Sequence, residues 1–207
     1  SENVVELAPS TGMEKAVFAF LSDKYLSLYN GSNQAGILNL ESKKYSIYGL
    51  KEPEIAKDAS LYEGNLYLLA EAAIYKYPDI TTGGVQKRLW LGGLTEGNKI
   101  SIVVDGNIYV LQADGTIVKY FKAKEESRIS LNIKIAENSK LLTNKNSSYF
   151  YLADFNSKRI RVFDKTAGSL VLTFKISQFD SIKDVALGDK VIYLTSGEGQ
   201  IWKISLE

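Results

Sequence analysis

The chain has 207 residues, 45% of them hydrophobic and 24% charged, with a net charge of +1. It contains no cysteine and no histidine, which excludes disulfides, thiolate metal sites, Ser-His-Asp triads and any histidine base. The near-neutral charge argues against a general electrostatic grip on nucleic acid, and no apolar run is long enough to span a bilayer.

The chain opens on Ser1 rather than Met, and its first residues lack the charged and apolar regions of a signal peptide. A domain excised from, or part of, a longer protein is expected. The short run Val4-Val5-Glu6-Leu7 reads as a strand. Beyond it a period emerges: Tyr25, Tyr67, Tyr109, Tyr151 and Tyr193 follow one another at intervals of 42 residues. Self-similarity of this length marks a solenoid, propeller or other array.

Each tyrosine sits in a short aromatic and β-branched run, preceded in most copies by a turn such as Gly64-Asn65 or Gly106-Asn107. Another run lies before each turn: residues 17–20, 59–62, 100–104, 141–143 and 185–187. A third strand follows at 37–40, 74–77, 117–120, 160–163 and 201–204. A fourth is read at 45–50, 88–91, 129–135 and 170–176. The segment Lys122–Ser127 reads as a solvated turn, and no helix is expected.

The last copy ends one strand short, and Val4–Leu7 is a spare strand that can complete it. Joining both chain ends in one sheet closes a ring and leaves only short edges, which argues against an open solenoid or a sandwich. The expected fold is a single all-β domain over residues 1–207, a five-bladed β-propeller of four-stranded blades.

Counting back from the tyrosines exposes a second pattern. Glu54-x-x-Lys57, Glu96-x-x-Lys99, Glu137-x-x-Lys140 and Asp180-x-x-Lys183 precede the inner strands, and Lys15 holds the place in the first copy. These crossings belong on the top face beside the central channel. Lysines gathered there repel unless neutralised. They either pair with the acids of the pattern and tie blades together, or hold an anionic ligand. The loops after the tyrosine strands differ between copies and supply further ligand-binding candidates: Asn30, Asn33, Asp114, Asp154 and Glu198. Ordinary turn chemistry accounts for the same residues.

Asp58 and Asp184 share one repeat position, where the other copies have Ala16, Ile100 and Leu142 nearby. Two channel-facing carboxylates suit glycoside hydrolysis, which needs an acid and a base or nucleophile. Structural pairing with lysine is the alternative. Trp90 and Trp202 are read as packing between blades, with sugar stacking or a protein contact as the alternative. Gly83-Gly84 and Gly92-Gly93 lie between strands and are not phosphate loops, and Asp164–Gly168 is a hairpin turn rather than a calcium loop.

The segment Tyr151-Leu152-Ala153-Asp154-Phe155-Asn156-Ser157-Lys158-Arg159-Ile160-Arg161-Val162-Phe163-Asp164 resembles the NHL-type propeller repeat. Looser matches surround Asp114–Ile117 and Gly197–Ile201. The resemblance implies a binding, sensor or interaction module, often attached to another domain. The expected reading is therefore a monomeric, non-enzymatic binding or scaffold domain without cofactor or metal. Its partners would be a protein or a small anionic or carbohydrate ligand at the channel mouth, not nucleic acid or membrane. A carboxylate-based carbohydrate-active enzyme using Asp58 and Asp184 is the alternative.

Overall fold

A computed structural model describes residues 18–22, 24–176, 182–196 and 201–206. The described strands form five antiparallel sheets. The first blade comprises β1 (Phe18–Ser22), β2 (Tyr25–Tyr29), β3 (Gln34–Asn39) and β4 (Tyr45–Gly49). The second comprises β5 (Asp58–Tyr62), β6 (Asn65–Leu69), β7 (Ala73–Tyr77) and β8 (Arg88–Gly92). The third has β9 (Lys99–Val104), β10 (Ile108–Gln112), β11 (Thr116–Phe121) and β12 (Lys124–Ser130). The fourth has β13 (Ser139–Leu142), β14 (Tyr149–Asp154), β15 (Arg159–Asp164) and β16 (Leu170–Lys175). The fifth has β17 (Ile182–Leu187), β18 (Val191–Ser196) and β19 (Ile201–Ser205).

Each blade is a meander in sequence order. The inner strands β1, β5, β9, β13 and β17 contact one another in succession, and β17 also contacts β1. The ring is thus a closed five-bladed propeller. The strand expected at Val4–Leu7 lies outside the described residues.

Burial falls from the axis outwards and explains the composition of each strand. All six residues of β9 and all five of β10 are buried, and both strands are mostly apolar. In β12 six of the seven residues are exposed. This outer strand begins earlier than expected: Lys124-Glu125-Glu126-Ser127 is strand, and Leu131–Ile135 belongs to the crossing. This outermost strand buries almost none of its side chains, so hydrophobicity does not reveal it. The turn before it, Lys122-Ala123, has positive φ at both residues (48° and 60°), as a two-residue hairpin of this hand requires.

The core lies between blades rather than within them. Leu61, Leu66 and Leu68 of the second blade pack with Tyr29 and Ile37 of the first. Tyr67 and Leu69 meet Ile102 and Val104 of the third. Ile117 and Leu111 meet Phe150 and Phe163 of the fourth, and Ile160 and Val162 meet Ile192 and Leu194 of the fifth. Each fully buried aliphatic side chain contributes roughly 1.5–3 kcal/mol. Trp90 packs edge-on against Tyr67, with ring centroids 6.5 Å apart, and Trp202 packs against the cluster between the fourth and fifth blades.

All five tyrosines lie in second strands, but the first is out of frame. Tyr67, Tyr109, Tyr151 and Tyr193 stand two residues before Leu69, Leu111, Ala153 and Thr195, which pair with Asp58, Ser101, Lys140 and Asp184. In the first blade Leu21 pairs with Leu26 as Leu61 pairs with Leu66. Ser27 therefore takes the place of Tyr67, and Tyr25 lies two positions early.

Candidate functional site

A channel of about 460 Å³ runs between the inner strands. All five strands enter it from the same face. Its wall alternates between apolar residues such as Leu21, Leu61, Val104 and Leu142, while Lys140 lies near the entry and Asn144, Lys145 and Asp189 near the far end.

The strand pairings place Phe18, Asp58, Ser101, Lys140 and Asp184 at one equivalent level of the five blades. Ser101 and Lys140 thus replace Ile100 and Leu142 as the counterparts of the aspartates. The count from the tyrosines is displaced because Tyr109 pairs with Val103, six residues before it, and Tyr151 with Leu142, nine before it, whereas Tyr67 and Tyr193 pair with Ser60 and Ala186, each seven before.

This level is a hydrogen-bonded belt. The inner edge of a propeller blade leaves backbone N–H groups without a ladder partner, and buried donors must be satisfied. Asp58 Oδ2 accepts from Ile102 N–H at 2.9 Å, one blade on. Ser101 Oγ accepts from Leu141 N–H at 3.0 Å, again one blade on. Asp184 Oδ2 accepts from Ala19 N–H at 2.6 Å and joins the last blade to the first. Lys140 and Phe18 carry no side-chain acceptor, so the blade that follows each of them serves itself. Val185 N–H donates to its own neighbour Asp184 Oδ1 at 2.8 Å, and Ala59 N–H donates to Asp58 Oδ1 at 2.8 Å. The two aspartates therefore stand in the blades that follow the two non-accepting residues, and each carboxylate satisfies two strands.

The belt is also charge-balanced in part. Lys140 Nζ donates to Asp184 Oδ1 at 2.6 Å and to the Ala19 carbonyl at 3.1 Å. Among the described residues no lysine bonds Asp58; Ser101 Oγ–H donates to its Oδ2 at 2.5 Å. Burial pushes the Asp58 carboxyl above the ordinary carboxylate range, against the opposing pull of Lys140, Ser101 and the two backbone donors. Asp58 is 4% exposed and Asp184 9%, so both carboxylates are enclosed.

The acid-x-x-Lys crossings do not pair internally where both partners are described. Glu54 bonds Lys87 at 2.7 Å and Glu96 bonds Arg128 at 2.8 Å, both reaching outwards. Residues three apart in an extended segment point to opposite sides, so acid and lysine of one crossing take different partners. Lys57 instead pairs with Glu71 of the adjacent loop at 2.7 Å and lies 3.5 Å from Asn98 Oδ1. Lys99 is buried, and its Nζ donates to the Gly97 carbonyl at 3.2 Å. Lys15, Glu198 and the side chain of Lys183 lie outside the described residues.

The loop candidates close their own turns. Asn30 Oδ1 accepts from Ser32, Asn33 and Gln34 N–H, each at 3.0 Å, and Asn33 Oδ1 accepts from Asn30 Nδ2 at 3.3 Å. Asp114 Oδ1 accepts from Thr116 N–H at 2.8 Å. Asp154 accepts from Ser157 N–H at 3.0 Å and from Arg161. Burial pushes the Asp154 carboxyl up, but Ser157 and Arg161 outweigh it and hold it below the ordinary range.

A polar clip at the opposite end escaped sequence reasoning. Lys165, in the outer hairpin of the fourth blade, bonds Asp105 of the third and the carbonyls of Asn144 and Ser147. Its Nζ also lies 5.5 Å from the Tyr109 ring and 5.8 Å from that of Phe150. A lysine in a hairpin reads as solvated, and only the neighbouring blade encloses it. Among the described residues no cluster of acidic side chains is arranged to hold a metal.

No family model and no curated protein matches the chain. Solved structures do. A glutaminyl cyclase from Myxococcus xanthus superposes with a TM-score of 0.66 at 12% identity, over 93% of each chain. A chain of a nidogen/laminin complex gives 0.66 at 14% identity, over 92% of this chain and 76% of that one. PorZ, a bacterial surface component of the type-IX secretion system of Porphyromonas gingivalis, gives 0.57 at 14% identity. The match covers 96% of this chain but only 26% of PorZ. These likenesses establish the β-propeller fold, in proteins of varied function that include an enzyme and a chain of a nidogen/laminin complex.

Proposed function

We propose that this chain is a non-enzymatic β-propeller binding or scaffold module, an interaction or sensor unit of a larger protein. Its ligand site is the top face at the channel mouth, beside the crossings that carry Lys57 and Lys99. The observation that carries this reading is the use of the two channel carboxylates. Asp58 accepts from Ala59, Ser101 and Ile102, and Asp184 from Ala19, Lys140 and Val185. A glycosidase needs one carboxyl free to protonate a leaving group and another free to activate water or attack carbon. Oxygens committed to holding strands together serve neither role. The resemblance of residues 151–164 to NHL-type repeats supports the binding reading.

The mouth suits a small anion or an acidic sugar. Lys57 is 30% exposed beside Glu71, which is 80% exposed, so an incoming anion can displace that carboxylate at modest cost. The test is an NMR titration with sodium phosphate and, separately, with an oligogalacturonate. Shifts confined to the residues around Lys57 and Lys99, and lost in Lys57→Gln, are expected. Hydrolysis of a glycoside panel that vanishes in Asp184→Asn overturns the proposal.

A further inference from the structure

We propose that β16 is a docking edge for an extended segment of a partner protein, one that adds as an antiparallel strand and carries an acidic residue near its amino end. This surface is the outer rim of the fourth blade and is independent of the channel mouth.

The outer strands of the other four-stranded blades are each blunted. Four of the seven residues of β12 are charged. β8 exposes one large apolar side chain, Leu89 (63%), beside Arg88, with Trp90 and Leu91 partly buried, and β4 exposes Ile47 (38%) alone, with Tyr45 and Tyr48 turned partly inwards. β16 reads Leu-Val-Leu-Thr-Phe-Lys and carries no charge before its last residue. Leu170 is 57% exposed, Val171 55% and Leu172 48%. Consecutive exposure means that both faces of the strand are open. A bulge opposite Val162/Phe163 inserts Val171 into the run and gathers the apolar side chains further. β16 pairs on one side with β15, and among the described residues no strand lies on its other side. An apolar edge strand with an unpaired row of N–H and C=O groups is a template for strand addition.

Charge identifies the occupant. Lys175 ends β16 directly across from Arg159 of β15. Like charges placed opposite each other in a ladder are destabilising. Neither makes an ion pair among the described residues, although Arg161 two positions on is paired with Asp154. A strand added antiparallel to β16 sets its amino end beside Lys175. A Glu or Asp there supplies the missing counter-ion, while alternate β-branched residues cover Leu170 and Leu172. A second copy docking through its own β16 brings only another lysine and no carboxylate.

The experiment uses two capped synthetic peptides, Glu-Val-Thr-Val-Thr-Val and Lys-Val-Thr-Val-Thr-Val, added to the isotopically labelled chain. The acidic peptide is expected to shift and protect the amides of Leu170–Lys175 and to bind about five-fold more tightly than the basic one. Lys175→Glu is expected to invert that preference, and Leu172→Lys to abolish binding of both, with thermal unfolding showing that each variant is folded. Equal affinity for the two peptides, perturbation elsewhere, no perturbation at millimolar peptide, or self-association lost in Leu172→Lys each overturns the proposal.

Discussion

The backbone N–H of Ala19 donates to Asp184 Oδ2 at 2.6 Å, across 165 positions of sequence. One carboxylate thereby joins the last blade to the first. Its second oxygen holds Lys140 of the fourth blade, so three of five blades meet at a single side chain.

Removing that carboxylate takes the acceptor from three donors at once. Asp184→Ala removes the carboxylate that faces the buried Lys140 ammonium and the acceptor of the Ala19 and Val185 N–H groups. A loss of about 3–5 kcal/mol is expected, the range for breaking a buried pair. Asp184→Asn keeps one oxygen and loses less. Urea unfolding of both variants, with Lys140→Met and the double variant in a cycle, measures the coupling. Additive losses in the cycle would show that the pair is not coupled.

Asp58 gives a pH dependence. Burial raises its carboxyl in the folded chain above the unfolded value near 4, so the native state holds its proton more tightly. Stability from this group is complete below the unfolded value and declines as pH rises through the folded one. Asp58→Asn lacks the titration. The stability advantage of the parent over Asp58→Asn therefore shrinks as pH rises from about 4 towards neutrality. Urea midpoints for both proteins at several pH values test the slope; a constant or widening gap contradicts it.

Lys165 predicts a second coupled pair. Its side chain is 14% exposed and that of Asp105 6%, and the two bridge the third and fourth blades. Lys165→Met should cost about 3 kcal/mol by leaving Asp105 buried and unpaired, and Asp105→Leu added to it should recover much of that loss. Calorimetric unfolding temperatures decide; no recovery would assign the effect to packing alone.

Ser27 predicts a gain. Its hydroxyl is buried and has no hydrogen-bond partner among the described residues, at the place where four blades carry tyrosine. Ser27→Ala removes an unsatisfied group and should stabilise by about 1 kcal/mol. A lower unfolding temperature for the variant would show that the hydroxyl is satisfied in solution.

The repeat was legible because each blade must bury the same apolar strands, and that demand recurs along the chain. Strand order, blade number and the turns all follow from it. β12 was misplaced because an outer strand faces water and its Lys-Glu-Glu-Ser stretch carries no apolar signal. The tyrosine ruler slipped in the first blade because Tyr25 happens to stand 42 residues before Tyr67, while the strand pairings give that place to Ser27.

By itself, the order of residues determined the propeller: short apolar strands at a constant period fold locally into meanders, and five of them close a ring. Only the tertiary structure decided what the charged residues do. Lys140 was counted with the crossings until the strand pairings set it level with Asp58, Ser101 and Asp184. Each member of that belt takes its partner from a different blade. A hydrogen bond between blades depends on register and on the angle of ring closure, and neither leaves a periodic trace in the sequence.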